Sequence, residues 1–216
     1  MRISGLCSAP LDPVNERRED WCAGRSGAHE ISRVRRVADL PGGELLFLIS
    51  CAELVGRAAR ARYDHVLVAH ASDVPHGRGW SPHVWRILEG AERIVVSLLE
   101  AEDAVDAGPV WDREEIEIPR NAVAREIDAL LFAAELRLMD RALAAVAAGR
   151  AAPVPQDETI EASYYPRRTP EDSRLDPART IAEQFDLLRV CDPERYPAFF
   201  DHRGRRYRLK LEVDDE

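Results

Sequence analysis

The 216-residue chain has one lysine, Lys210, and four scattered cysteines, Cys7, Cys22, Cys51 and Cys191. No Cys-x-x-Cys pair occurs, which disfavours a structural zinc site and a thioredoxin-like redox motif; the thiols read as reduced and mostly buried. The remaining basic residues are all arginine, which a coding bias explains more simply than a bank of phosphate-binding forks. With 30 basic against 39 acidic side chains the formal net charge is −9. That charge repels nucleic-acid phosphate unless Lys and Arg gather on one face, so no nucleic-acid partner is expected. Long apolar runs are also missing. Residues 44–50 and 94–99 are among the longest, far short of the roughly 18–20 needed to span a bilayer. Residues 1–7 show neither the apolar stretch nor the small-residue cleavage site of an export signal. The sequence therefore predicts no membrane association and a cytoplasmic address.

What is present is an ordinary globular balance, 45% hydrophobic and 32% charged, enough for one main core. Residues 2–7, 45–50 and 64–69 are short segments rich in Ile, Leu and Val, separated by helical or turn-like stretches, the rhythm of a parallel sheet. Residues 15–27 read as a helix with Trp21 and Cys22 as its apolar points, and 29–37 as an edge strand closed by the turn at 41–43. Alternation of this kind implies right-handed crossovers and a ligand crevice at the carboxyl ends of the strands. Residues 80–90 have helical spacing and end at Gly90. Residues 94–99 and 109–118 then form two strands around an acidic loop, 100–108. Asn121 opens the longest predicted helix, with Ile127, Leu130, Leu131, Ala134, Leu138, Ala142 and Val146 on one apolar stripe. Residues 150–157 read as a linker. Beyond it come a turn-rich stretch, a helix over 180–190, and a hairpin over 199–211 turning at Arg203 and Gly204. The division is thus a main unit, 1–150, and a small C-terminal subdomain, 158–216.

The densest unusual stretch, residues 70–83, puts polar, glycine and aromatic residues directly after a strand, where loops tend to carry function. His70 would be held by the sheet, and two glycines around Arg78 let backbone approach a ligand. The spacing His70-x-Ser72-x-x-Pro75, then Arg78-Gly79, then Pro82, followed by Asp106-x-Gly108 before a strand, resembles the core of the 10-formyltetrahydrofolate-dependent formyltransferases. Within that family it is most similar to the transfer-RNA and sugar N-formyltransferases. Residues 45–150 carry the resemblance best. Residues 72–82, with Tyr196, Phe200 and Gly204 in the tail, resemble a compact branch tied to surface-sugar and specialised-metabolite pathways.

The resemblance implies an α/β, Rossmann-like formyltransferase fold, a mostly parallel sheet flanked by helices. It also implies transfer of a formyl group from 10-formyltetrahydrofolate, the co-substrate, to a primary amine of a small acceptor. A nucleotide-linked amino sugar is the preferred acceptor; an amino-acid or siderophore-type amine is the alternative. Attack needs an uncharged amine, so Asp106 would take its proton directly or through water. The developing oxyanion needs a fixed donor, and His70 would supply a ring N–H. The loop Glu102, Asp103, Ala104 and Val105 would line the pterin, with Arg78 and Gly79 nearby. Ser72, Asp73, Trp80 and Tyr165 are the acceptor-side candidates, and relatives suggest a homodimer.

The chain departs from the family at Val68, where the others carry a third catalytic residue, an asparagine. Loss of one oxyanion donor typically costs about 10²–10³ in rate, and the chain has only Asn15 and Asn121. A folate-binding relative with altered chemistry is therefore an open alternative. So is a metal hydrolase using His70, His76, His83, Asp73 and Asp106, though gaps of six and seven residues between the histidines fit no simple zinc motif.

Overall fold

The computed structural model describes residues 1–9 and 13–214; residues 10–12 and 215–216, which fall within the two predicted units, lie outside the described part. Its centre is a six-stranded sheet built from β1 (Arg2–Leu6), β2 (Glu30–Val34), β3 (Gly43–Leu48), β4 (Tyr63–His70), β6 (Arg93–Glu100) and β7 (Val110–Glu117). The strand order is β2-β1-β3-β4-β6-β7. The first four strands run parallel, and β6 and β7 join antiparallel.

The sheet's character follows from its sequence. β3, buried on both faces, is accordingly near-continuous in Leu and Phe, whereas the equally buried β1 sets Ser4 and Gly5 between Ile3 and Leu6. β7 closes one edge and alternates, with Asp112, Glu114, Glu115 and Glu117 outward or half-covered. Arg93 spans to Glu115 and Glu117, while Arg137 and Arg141 reach Glu114 from the neighbouring helix. These charges guard an exposed strand edge against pairing with another chain.

Helix α1 (Val14–Ala23) lies on the same face of the sheet as α4 (Ala124–Ala147); Trp21 Nε1 and Arg25 Nε donate to Asp140 Oδ1 at 2.9 and 2.7 Å and fasten them together. Short helices α2 (Arg57–Arg60), α3 (Pro82–Leu88) and α5 (Phe185–Arg189) complete the set. The long helix begins three residues later than Asn121, after a turn, because Glu126 accepts the Val123 N–H at 2.9 Å and does the capping. Its buried stripe also differs from the expected one. Leu130 is exposed, while Phe132, Glu135, Met139 and Leu143 are buried, because the helix is covered on a broader arc than a single stripe. Trp80 precedes α3 and is not part of it.

Residues 150–157 are more than a connector. Val154 bridges to Val110 beside the edge strand, and Gln156 enters the site described below. Short strands β5 (Arg78–Gly79) and β8 (Tyr164–Tyr165) then pair in parallel. The hairpin of β9 (Ala198–His202) and β10 (Arg205–Leu209) turns where expected, with Arg203 and Gly204 both at positive φ, the two-residue geometry that matches strand twist. Leu175, Leu188, Cys191 and Ala198 form a small separate cluster, whereas neighbouring Val190 joins the main core. Arg189, 3% exposed, donates to the Pro119 and Ala122 carbonyls and secures this segment to the approach of α4. Among the described residues no helix is long and apolar enough to cross a membrane.

Candidate active site

His70 is the last residue of β4, paired with Ser97 across the sheet, so the ladder fixes its Cα. Its Nε2 lies 2.9 Å from the Gly77 carbonyl and its Nδ1 lies 3.6 Å from Asp106 Oδ2, and both side chains are about nine-tenths buried. Each ring nitrogen thus faces an oxygen, the Gly77 carbonyl on one side and the Asp106 carboxylate on the other.

Asp106 is placed by strained local backbone. Its φ is +53°, and its carboxylate accepts the Gly79 N–H at 2.9 Å. Gly79 sits at φ +99° with the position of a Cβ only 2.5 Å from the Tyr165 carbonyl, and a Cβ at Gly108 would fall 1.9 Å from the Glu100 carbonyl. The glycines of both motifs are therefore steric requirements of the loop that presents the carboxylate.

Gln156 completes the arrangement. Its Nε2 donates to the Asp106 and Gly108 carbonyls, each at 2.8 Å, and its Oε1 accepts from Arg78 Nη2 at 2.6 Å. Arg78 in turn donates to the Tyr164 hydroxyl and lies over that ring. In the sequence Gln156 lies within 150–157, the stretch that reads as a linker. Its contacts arise at sequence separations of 48 to 78 residues, and no local periodicity marks it.

A cavity of about 220 Å³ opens beside His70, lined by Ser50, Gly79, Trp80, His83 and Arg168 among others. Ser50 and His70 follow or end the adjacent strands β3 and β4, so the cavity lies at carboxyl strand ends. His83, in the sequence a candidate metal ligand alone, also lines this cavity. Burial, reinforced by the nearby charges of His70, Arg195 and Arg168, pushes its pKa down to about 4, so it is neutral near pH 7. Its Nδ1 is sealed from solvent without a partner. Among the described residues no group of three or more His, Cys, Asp or Glu is arranged to hold a metal ion.

The other sequence candidates divide. Trp80 lines the same cavity as His70. Ser72, Asp73 and Tyr165 line a different one, of about 550 Å³, with Arg86 and Arg93. There Asp73 pairs with Arg113 at 3.1 Å, and the Tyr165 hydroxyl donates to Glu89 Oε2 at 2.8 Å. Glu102, Asp103, Ala104 and Val105 are exposed; Asp103 meets Arg60, whose hydrogen bond and charge lower its pKa. The backbone N–H groups of 102–105 make no hydrogen bond within the described chain. Val68, two residues before His70 on the same strand, packs against Val74, Leu99 and Val110.

No known family profile matches the chain. A methionyl-tRNA formyltransferase of Acidobacterium capsulatum is 33% identical over 124 residues, 57% of this chain and 40% of that protein. HypX of Aquifex aeolicus, in a structure with tetrahydrofolic acid, superposes with a TM-score of 0.78 at 21% identity, over 95% of this chain and 36% of that one. A sugar N-formyltransferase from a Shewanella species gives 0.73 at 14% identity, over 99% and 98% of the two chains. The chain has the formyltransferase fold. Its four parallel and two antiparallel strands are that fold's sheet, so the mostly parallel, Rossmann-like arrangement expected from the sequence is what forms. The chain matches less than half the length of the curated relative. Within the formyltransferase fold of this chain, His70 and Asp106 meet as the motif implied, and position 68 carries no polar group.

Proposed function

We propose that the chain is an N-formyltransferase that moves a formyl group from 10-formyltetrahydrofolate to the primary amine of a small acceptor, preferably a nucleotide-linked amino sugar. The observation that carries this is the buried His70–Asp106 pair beside a cavity, with the carboxylate anchored by the Gly79 N–H. The unbonded backbone N–H groups of 102–105 fit a heterocycle that needs donors, with Arg78 and Gly79 adjoining through Gln156 and Asp106. On this reading Trp80 faces the acceptor, whereas Ser72, Asp73 and Tyr165 support the loop from its other side.

The chemistry asks little of the protein beyond position and charge. The neutral amine attacks the formyl carbon, the carbon–nitrogen bond to the folate breaks, and the proton lost by the amine ends on the folate nitrogen. Asp106 accepts that proton, directly or through water, and His70, giving up the Gly77 carbonyl as its acceptor, donates a hydrogen bond to the oxygen that becomes negative. Burial of both side chains strengthens these interactions by excluding competing water. A cytoplasmic enzyme with residues 1–150 as catalytic unit, 158–216 as subdomain and a homodimeric assembly belongs to the same proposal.

The apolar neighbours of the half-buried Val68 favour a second reading, a folate-binding relative whose chemistry has changed. Titration with 5-formyltetrahydrofolate, followed by assay of tetrahydrofolate release from 10-formyltetrahydrofolate with primary amines, separates the two. Binding with release supports the transferase; binding without release supports the altered relative; no binding removes both.

A further inference from the structure

Where the family motif has an asparagine, the half-buried Val68 packs among Val74, Leu99 and Val110 and donates nothing. His70 is itself engaged, its Nε2 lying 2.9 Å from the Gly77 carbonyl. The charged donors that line the same cavity are turned to protein groups. Arg195 donates to Asp192 at 2.7 Å and to Asp128 at 3.0 Å, and Arg168 donates to the Asp172 carbonyl and Ser173 Oγ at 3.0 and 3.1 Å. Arg167 lies over the Trp80 indole, 4.7 Å from its centroid. His83 differs. Neither of its ring nitrogens makes a hydrogen bond to the described residues, and Nδ1 is sealed from solvent while Nε2 is not. Of the two neutral tautomers, the one protonated at Nε2 leaves no N–H stranded in the sealed position. The open nitrogen of this cavity-lining ring is therefore a donor. Burial first, and then the charge of His70, hold the His83 pKa at about 4, so the ring stays neutral near pH 7. That the charge of His70 is felt there places the two rings within electrostatic reach of each other.

We propose that His83 is a further catalytic residue, its Nε2–H donating to the oxyanion in place of the asparagine absent at Val68. The inference rests on the transfer reading above. In that step the amine nitrogen bonds to the formyl carbon and the carbonyl electron pair moves onto oxygen. The pair returns as the carbon–nitrogen bond to the folate breaks. Two imidazoles then share the negative charge, His70 from the end of β4 and His83 from the first turn of α3. His83 keeps its proton throughout, and the proton lost by the amine passes through Asp106. An imidazole held neutral by its surroundings is a competent electrophile: it buries no charge before the oxyanion forms, and it acts at full strength in a site closed to water.

The test compares His83→Gln, which keeps an N–H donor, with the near-isosteric His83→Met, which has none. Two rates are read in the full chain as tetrahydrofolate release from 10-formyltetrahydrofolate. One is transfer to UDP-glucosamine; the other is hydrolysis with no acceptor present, in which water attacks, formate leaves and the same oxyanion forms. His83→Met should lower both rates about 10²-fold, and His83→Gln should stay within about 10-fold of the parent. The affinity for 5-formyltetrahydrofolate should be unchanged in each. Where UDP-glucosamine is not taken, hydrolysis alone decides. A packing role slows both variants alike, and an acceptor-holding role slows transfer but spares hydrolysis; either result overturns the proposal. So does release by His83→Met within about 3-fold of the parent. If His83→Met fails to fold, His83→Phe, which keeps a ring without a donor, takes its place with the same expectations. A parent that releases no tetrahydrofolate by either route removes the transfer reading, and this inference with it. Release by the parent that survives in His83→Met removes this inference alone.

Discussion

His70 and Gln156 approach the same aspartate, yet the chain fixes them by different means. His70 ends a strand whose neighbours on both sides are sheet, so its position follows from backbone pairing over many residues. Gln156 comes from a stretch with almost no regular structure, held by three side-chain hydrogen bonds and one isolated bridge at Val154. Arg167 and Arg168 belong to the second kind as well. A group that must meet a reacting atom within a fraction of an ångström benefits from the ladder. Groups that recognise the rest of an acceptor can sit on segments that vary without disturbing the sheet.

The sharpest way to break this contrast is at the ladder-held His70 and its loop-held partner Asp106. His70→Ala and Asp106→Ala should each lower transfer about 10³-fold or more, with circular dichroism and melting temperature near those of the parent. Full activity in either variant defeats the assignment. Gly108→Ala should cost about 3 kcal/mol or more, because its Cβ would occupy the space of the Glu100 carbonyl; an unchanged urea midpoint would show that the loop shifts freely.

His83 gives a pH-dependent test. Its pKa is lowered to about 4 in the folded chain from an ordinary 6.5, so the unfolded chain binds its proton first as pH falls. The stabilisation is therefore complete above about pH 6.5 and is lost progressively toward pH 4, by up to about 3 kcal/mol. His83→Gln should flatten that part of the stability profile measured by urea unfolding, and an unaltered slope would contradict the assignment.

Val68→Asn should destabilise by about 1–3 kcal/mol, since an amide would be set among Val74, Leu99 and Val110. Its effect on rate is the informative part. A faster enzyme means that position 68 still reaches the reacting oxygen, and a slower one means that other groups have taken over. The smallest effect is expected at the side-chain-held residue: Gln156→Ala should reduce kcat about 10-fold by loosening the Asp106 loop, with little change in melting temperature. Loss equal to that of Asp106→Ala would erase the distinction between the two kinds of support.

Much of this was legible in the chain itself. The strands β3 and β4 are written as short runs of Leu, Phe and Val, and the hairpin turn as Arg203-Gly204, because these depend on nearest neighbours and burial. His70 and Asp106 were legible because each is embedded in a local motif whose glycines the backbone requires. The long helix was legible in kind but not at its start, where a side-chain cap three residues on decides the boundary.

Other features depended on separations that no local pattern records. The split of Ser72, Asp73 and Tyr165 away from the His70 cavity follows from which side of a loop each side chain takes. The role of Gln156 and the gathering of Arg167 and Arg168 beside Trp80 follow from the return of residues 154–168 across the sheet edge. Sequence alone set the sheet's strands and the candidate pair at its carboxyl end, His70 and Asp106, because periodicity and steric need act over a few residues. Only the tertiary structure decided what surrounds that chemistry, because charge pairing and cavity shape are properties of segments that meet from distant parts of the chain.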